Sequence, residues 1–415
     1  MSDLMRFPPW CVDFVSIDRG TIGIRGWAIP AGRRSGPTSF SINGRPFDST
    51  TYPIGRPDIG DLFWFADDAR LSGFLCRSRI LESDRDEYRF DYLDLQTGKP
   101  FYDLHAYYHT TAPDRFPLPE PFRRARVHGG SDEGAFRLEG LSTYKKFEAI
   151  LQQQFGRRYT DFPAILDWGC GCSRVLRHFK PDPMQTVTGI DIDADNVAWC
   201  AANIPFGRFH HIDLMPPTPL ADASFDLMIG VSVFTHLSEA DQNLWLRELA
   251  RIAKPSAILL MTTHGAFTIC RSGQSEAAFA TWVQSGFMDG GGNHDLAHQI
   301  KNSADYYRNV FHTEKYINKT GAGTSTSWRS CRASSATIRT SSSCRSSSGC
   351  GAKLGCTAPP NTSDALRCRA NIGAPIPPPM PRSHDPRPDS RPRPPDRRAR
   401  RSRCRCGAGD GRAVG

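Results

Sequence analysis

The chain has 415 residues, enough for two or three domains, and a formal net charge of +9. The charge is uneven: residues from Thr320 onward carry 18 Lys and Arg against 5 Asp and Glu, whereas the first 319 residues carry 34 against 38, so the globular part has no basic excess that would argue for nucleic acid. No apolar run reaches the roughly 18 residues that span a bilayer and no secretory signal is evident, so we expect a cytoplasmic protein with reduced cysteines.

Residues 1–109 have the pattern of β structure. Ile22 and Ile24 lie on one face of an alternating stretch, and a second stretch runs into Asn43-Gly44, a strong hairpin signal. The recurring aromatic residues and the lack of helical periodicity predict a small all-β sandwich. Through residues 25–28, 56–59 and 72–74 it resembles the β-rich accessory domains beside bacterial glycan-modifying enzymes.

Residues 110–121 contain four prolines and are predicted to be a linker between this domain and a second one, residues 122–319. The candidate ligand-binding residues, which are described below, all lie in the second domain. We therefore expect a chain that begins at Phe122 to bind ligand by itself. A helix is predicted over 142–154, and strands and helices then alternate. The predicted strands are 164–167, 186–192, 225–233 and 257–262, and the predicted helices are 174–179, 194–203 and one that begins with the capping box at 238–241. This alternation predicts an α/β fold with a doubly wound, mostly parallel sheet.

A glycine-rich turn follows the first of these strands, in the run Ile165-Leu-Asp-Trp-Gly-Cys-Gly-Cys-Ser-Arg174. Glycines permit a tight bend and let the backbone approach a ligand closely. A dinucleotide-binding loop needs a glycine or alanine at the sixth position of its Gly-x-Gly-x-x-Gly pattern. Here that position is Arg174, which argues against NAD.

The run resembles motif I of class I S-adenosylmethionine-dependent methyltransferases, in which an acidic residue precedes a Gly-x-Gly-x-Gly loop. Asp167, Gly169 and Gly171 match that motif, and Ser173 replaces the third glycine. The resemblance implies a Rossmann-like fold with S-adenosylmethionine as the cofactor. It also implies that Asp167, Gly169, Cys170 and Gly171 contact this cofactor.

An acidic residue ends the second predicted strand. Asp191 follows Gly169 by 22 residues, which is the spacing of a carboxylate that accepts hydrogen bonds from a ribose diol. The resemblance makes Asp191 the ribose ligand and its neighbour Ile192 a cofactor contact. Asp193 precedes a predicted helix and is expected to cap it.

The third and fourth strands supply the remaining candidates. By resemblance to the family, Asp213 approaches the adenine amino group, and Leu214 and Gly230 also contact the cofactor. His236 follows the fourth strand, near the expected position of the transferred methyl group. Two roles are open for His236: a general base, for which its unperturbed pKa near 6.5 is suitable, or a side chain that packs beneath the cofactor.

The pair Cys170-x-Cys172 suggests a metal site, but no second Cys or His pair lies at zinc spacing, so we predict no metal. The arginine-rich tail does not change the expectation that the protein has no nucleic-acid partner.

Residues 320–415 are rich in Ser, Arg, Pro and Cys and cannot bury a core. We expect a low-complexity, disordered tail that leaves the edge of the sheet open. Reading the codons from Thr324 in a shifted frame permits an alternating apolar sequence with a Pro-Gly turn and a final apolar strand. We therefore hypothesise that the tail is translated in a shifted reading frame.

Methyl transfer needs alignment of an acceptor with an already activated sulfonium and, for some acceptors, removal of a proton. The sequence therefore predicts an S-adenosylmethionine-dependent methyltransferase whose acceptor is a glycan or another small molecule. The alternative is a non-catalytic carbohydrate- or ligand-binding protein on the same fold. The intact Gly169, Gly171 and Asp191 speak against that alternative.

Overall fold

The structure is a computed structural model that describes residues 10–29, 38–84, 87–94, 98–110, 116–270, 272, 274–292, 306–322, 326–330 and 336–340. The predicted disordered tail comprises residues 320–415; within it the structure describes residues 320–322, 326–330 and 336–340, and residues 341–415 lie outside the described residues. The two predicted domains, 1–109 and 122–319, fall within a single compact unit that covers residues 1–347.

The amino-terminal part is a sandwich of two antiparallel sheets, with strand orders β1-β2-β6-β5 and β4-β3-β7-β8. The eight strands are β1 (Trp10–Asp18), β2 (Thr21–Ala28), β3 (Thr38–Ile42), β4 (Arg45–Pro46), β5 (Ser49–Ile54), β6 (Gly73–Arg79), β7 (Glu87–Asp94) and β8 (Lys99–His109). Ile22, Ile24, Phe40 and Phe90 are among the buried residues of the core between the two sheets. The prediction of an all-β sandwich is confirmed.

A seven-stranded sheet forms the centre of the second part, in the order β11-β10-β9-β12-β13-β17-β16. The strands from here on are β9 (Ala164–Trp168), β10 (Thr186–Asp191), β11 (Gly207–His211), β12 (Phe225–Gly230), β13 (Ala253–Met261), β14 (Phe287–Gly292), β15 (Arg308–His312), β16 (Thr326–Ser330) and β17 (Ala336–Thr340). Strands β9 to β13 pair in parallel, so the predicted doubly wound sheet is confirmed. The strand order reverses between β9 and β12, and ligands bind at the carboxyl ends of strands beside such a switch point.

Eight α-helices accompany these strands within the described residues. They are α1 (Pro57–Leu62), α2 (Pro121–His128), α3 (Glu133–Phe155), α4 (Ala194–Asn203), α5 (Glu239–Ile252), α6 (Ala266–Cys270), α7 (Glu276–Ser285) and α8 (Glu314–Ala322). The predicted bounds of α4 are reproduced, and Asp193 caps it by accepting hydrogen bonds from the backbone N–H groups of Asp195 and Asn196. Ser238 likewise caps α5, as its capping box predicts.

The predicted helix at 174–179 is wrong, because only a short 3-10 turn over Leu176–His178 forms there. Ser173 adopts a φ of 57°, in the left-handed region, which an α-helix cannot include. Pro181 follows closely and disfavours helical backbone in the residue before it.

The predicted open sheet edge is also wrong. Strand β17 pairs antiparallel with β13, and β16 pairs antiparallel with β17, so the backbone of β13 has partners on both sides. An unpaired edge strand offers a row of backbone donors and acceptors, and a short segment rich in threonine and β-branched residues is sufficient to satisfy them. The shifted reading frame stays a prediction, which sequencing the gene around codons 316–324 would decide.

The sandwich and the sheet unit share a hydrophobic core. Its buried members are Trp27, Ile29, Ile59, Phe63 and Ala69 from the amino-terminal part and Ile269, Cys270, Phe279, Trp282 and Phe311 from the second part. The ring of Trp27 stacks on that of Phe267, with centroids 6.2 Å apart and planes inclined by 12°. This shared core argues against the expectation that the chain from Phe122 onward folds by itself.

Candidate functional site

A cavity of about 350 Å³ opens at the carboxyl ends of β9, β10 and β12, within the range of small-molecule sites. Its walls are the glycine-rich loop after β9, the residues that follow β10 and β12, helix α2, and the two tyrosines Tyr306 and Tyr307. The switch point of the sheet therefore carries the cavity, as the fold class predicts.

The loop glycines are required by both backbone conformation and space. Gly169 has a φ of 71°, and a Cβ atom there would lie 2.4 Å from Cγ2 of Val233. Gly171 has a φ of 51°, and a Cβ atom there would lie 2.7 Å from Cγ2 of Val127 in α2. These separations are too short for any other side chain, so the glycines keep the loop open beside the cavity.

Asp191 is buried at the end of β10 and holds the loop in place. Its Oδ2 accepts a 2.7 Å hydrogen bond from the Gly171 N–H, and its Oδ1 accepts a 2.8 Å bond from the Asp193 N–H. Burial raises the pKa of Asp191 to about 6, although these backbone hydrogen bonds oppose the rise. Each carboxylate oxygen has a second lone pair, so Asp191 retains the capacity to accept from a ligand hydroxyl.

Asp167 lies on β9, between the residues of β10 and β12 that pair with it, Gly189 and Ile229. Burial raises its pKa to about 8, and the nearby charge of Asp191 contributes in the same direction. The raised pKa favours the protonated form of the Asp167 carboxyl, which can donate a hydrogen bond.

Two ion pairs fasten helices to the loop region. Arg126 of α2 lies 2.8 Å from Oδ2 of Asp193, and both side chains are largely buried. Arg174 of the loop lies 2.6 Å from Oε2 of Glu139 in α3, and the same oxygen is 3.0 Å from Nδ1 of His128. Partial loss of hydration at the cavity wall would raise the pKa of Glu139, although its side chain is 54% exposed, but the His128 hydrogen bond and the Arg174 charge lower the pKa to about 2.

His236 lies beyond the end of β12, half-buried and facing the cavity. Its Nδ1 is 2.9 Å from the Arg308 carbonyl oxygen, which can only accept, so Nδ1 carries a proton and a neutral ring has its lone pair at Nε2. The ring also stacks on Tyr307, with centroids 4.1 Å apart. His264 is nearby, and burial together with the His236 ring lowers the pKa of His264 to about 4.

Seven of the ten predicted site residues line the cavity: Asp167, Gly169, Cys170, Gly171, Asp191, Ile192 and His236. The structure places Asp213, Leu214 and Gly230 outside the lining. Asp213 is exposed, and the wall beside it is formed by Ile212. The Leu214 carbonyl accepts hydrogen bonds from Trp245 and Tyr306, and Gly230 packs against Met261 and Trp168.

Three residues that line the cavity from other segments were not predicted from the sequence. Arg126 and His128 come from α2, and Glu139 comes from α3. They belong to no local motif and approach the loop only through tertiary packing. Arg174, at the sixth position of the glycine-rich pattern, was the one available signal, because a buried positive charge there needs a partner of opposite charge.

Among the described residues, no group of three or more His, Cys, Asp and Glu side chains is arranged to hold a metal ion. No helix in the described part of the chain combines the length and the apolar character needed to cross a membrane.

Comparisons with known proteins agree with this geometry. Residues 166–261 match the family described as a methyltransferase domain. A protein of Mycolicibacterium smegmatis named "Probable S-adenosylmethionine-dependent methyltransferase" is 31% identical over 104 residues, which is 25% of this chain. The match spans 39% of the length of that relative.

Two solved structures are similar over larger parts of the chain. A methyltransferase from Methanosarcina mazei is 15% identical and has a TM-score of 0.31, and the match covers 43% of this chain and 92% of the other. The 1,6-didemethyltoxoflavin-N1-methyltransferase of Burkholderia thailandensis is 15% identical with a TM-score of 0.32, over 58% of this chain and 96% of the other. Both scores are low, so the fold assignment rests on the strand order of the central sheet.

Proposed function

We propose that this protein transfers the methyl group of S-adenosylmethionine to a small acceptor, because residues 166–261 match a methyltransferase domain and a relative that is 31% identical over 104 residues is named a probable S-adenosylmethionine-dependent methyltransferase. One observation carries the proposal. A single cavity is lined by the glycine-rich loop, the carboxylate of Asp191 and the ring of His236. A nucleoside-binding region and a candidate base thus face the same space.

In this proposal the ribose hydroxyls donate to Asp191, and the loop from Gly169 to Gly171 lies against the sugar and the sulfonium. Two features support this placement. The carboxylate of Asp191 is already oriented by two backbone donors, and the glycines leave no side chain between the loop and the cavity. Preorganised groups of this kind bind a ligand without an ordering cost.

His236 is proposed as the general base. The acceptor oxygen or nitrogen attacks the methyl carbon, the carbon–sulfur bond breaks, and Nε2 of His236 takes the acceptor proton. S-adenosylhomocysteine then leaves as a neutral thioether. The Arg308 carbonyl supports this role because it directs the proton of a neutral ring to Nδ1, and Tyr307 fixes the ring plane. Positioned bases of this kind contribute about 10²- to 10⁴-fold to a rate.

We propose a glycan or another small molecule as the acceptor. Support comes from the amino-terminal sandwich, through its resemblance to accessory domains of glycan-modifying enzymes, and from a cavity of small-molecule size. A reducing, cytoplasmic location is part of the proposal and rests on the sequence alone.

The test is transfer of a radiolabelled methyl group from S-adenosylmethionine to fractions of glycans and small metabolites. Labelled product with the native protein, reduced by His236→Ala, is the expected result. Cofactor binding without transfer to any fraction would favour the non-catalytic alternative. Absence of cofactor binding would contradict the proposed function as a whole.

A further inference from the structure

We propose that Glu139 and Arg174 bind the amino-acid end of S-adenosylmethionine, with Glu139 recognising its ammonium group; the inference rests on the proposed function. The two side chains form a 2.6 Å ion pair, and both line the cavity. An amino acid carries one charge of each sign, on an ammonium and a carboxylate group attached to the same carbon. An ion pair that presents an anion and a cation to a cavity is complementary to such a zwitterion.

Glu139 has binding capacity that its internal contacts do not use. His128 and Arg174 both contact its Oε2, and Oε1 has no hydrogen-bond partner within the described part of the chain. Its side chain is 54% exposed although it belongs to the cavity wall. A carboxylate with a lowered pKa is ionised at any physiological pH, so it is available as an acceptor for an ammonium group.

Arg174 also has an unused donor. The residue is 8% exposed, and its Nε has no hydrogen-bond partner among the described residues. A buried guanidinium donor without a partner is costly, and a ligand carboxylate would satisfy it. Binding of the ligand carboxylate gives a function to Arg174, the residue that argues against a dinucleotide-binding loop.

The second ion pair of the cavity is a poorer candidate. The Asp193 carboxylate caps α4 with one oxygen, and the other accepts a hydrogen bond from Asn196 and forms the ion pair with Arg126. The Asp193 side chain is only 9% exposed. The buried Nε of Arg126, like that of Arg174, has no hydrogen-bond partner among the described residues, but the Asp193 carboxylate has little exposed surface to offer an ammonium group. The Arg126–Asp193 pair therefore fastens α2 to α4.

The position of the Glu139–Arg174 pair fits the path of the cofactor. A ribose bound to Asp191 would lie at the end of β10, and a methyl group near His236 would lie beyond the end of β12. The amino-acid segment then lies over the loop after β9, the strand between them. Arg174 belongs to that loop, and α3 is held against it, since a Cβ atom on Gly140 would lie 2.4 Å from the Arg174 carbonyl oxygen.

The experiment compares two ligands by calorimetry. S-adenosylhomocysteine contains the amino-acid group, and 5′-methylthioadenosine lacks it. Glu139→Gln should weaken S-adenosylhomocysteine binding about 10- to 100-fold, the effect of a lost charge-assisted hydrogen bond, and leave 5′-methylthioadenosine binding within about twofold. Glu133→Gln is the matched control, because Glu133 lies on the same helix, is 58% exposed, and pairs with Arg124 at 3.6 Å outside the cavity.

A further ligand isolates the ammonium group. An S-adenosylhomocysteine analogue with hydrogen in place of the amino group should bind the native protein more weakly than the parent compound, and Glu139→Gln should abolish that difference. Equal losses for S-adenosylhomocysteine and 5′-methylthioadenosine, or no loss for either, would overturn this inference alone. Failure of the native protein to bind any of the three ligands would overturn it together with the proposed function.

Discussion

Replacement of Trp27 by alanine tests whether the sandwich and the sheet unit are one cooperative structure. Trp27 is 1% exposed, and its ring lies 5.3 Å from Phe63 and 6.2 Å from Phe267, which belong to the two different parts. Removing a buried tryptophan side chain costs about 3–5 kcal/mol, a large share of the roughly 5–15 kcal/mol that stabilises a folded protein. With an m-value of about 3 kcal/mol/M, the urea midpoint should fall by about 1 M or more.

The assay follows urea unfolding by far-UV circular dichroism and measures S-adenosylhomocysteine binding at each urea concentration by equilibrium dialysis. A shared core predicts that Trp27→Ala shifts both curves together. Trp64→Ala is the control, because Trp64 is 48% exposed and should leave the midpoint nearly unchanged. The reasoning is refuted if binding persists to the native midpoint while circular dichroism records a separate, earlier transition.

Three further predictions concern the site. Asp191→Asn replaces one carboxylate oxygen by an amide donor that faces a backbone N–H, so S-adenosylmethionine binding should weaken about 10- to 100-fold in calorimetry. The exposed Asp195→Asn is the control and should change binding little. Equal dissociation constants for Asp191→Asn and the native protein would reject the assignment. His236→Ala should lower turnover about 10²- to 10⁴-fold at unchanged cofactor affinity, whereas a loss of affinity would identify a packing role and undiminished turnover would exclude the base. Asp167 has a pKa of about 8 in the folded protein, above its unfolded value, so the stability linked to its proton is lost as pH rises from about 4 to 8. Asp167→Asn cannot ionise, so its urea midpoint should fall less than that of the native protein over this pH range, and parallel profiles would contradict the raised pKa.

Local patterns predicted the fold because they report local physics. Asn43 and Gly44 have φ angles of 50° and 79°, the positive values that a tight hairpin requires. The acidic caps, the strand alternation and the glycine loop are likewise short-range signals. Ser173, with its φ of 57°, shows that the loop keeps the left-handed backbone at the third position without a glycine.

What the sequence did not reveal depends on contacts between distant segments. The partner of the loop residue Arg174 is Glu139, which lies 35 residues earlier on helix α3. The shared core joins residues near Trp27 to residues near Trp282, and no periodicity records that pairing. The assignment of Asp213 to the adenine amino group rests on resemblance and stays a prediction, and its neighbour Ile212 lines the cavity.

The measurement that tests the central claim most directly is calorimetric titration of the native protein with S-adenosylmethionine and with S-adenosylhomocysteine. We expect saturable binding of both ligands at one site per chain, with dissociation constants in the micromolar range that is usual for enzyme substrates. Absence of binding for both ligands, with a protein shown to be folded by its cooperative urea transition, would contradict the assignment of the cavity as a cofactor site.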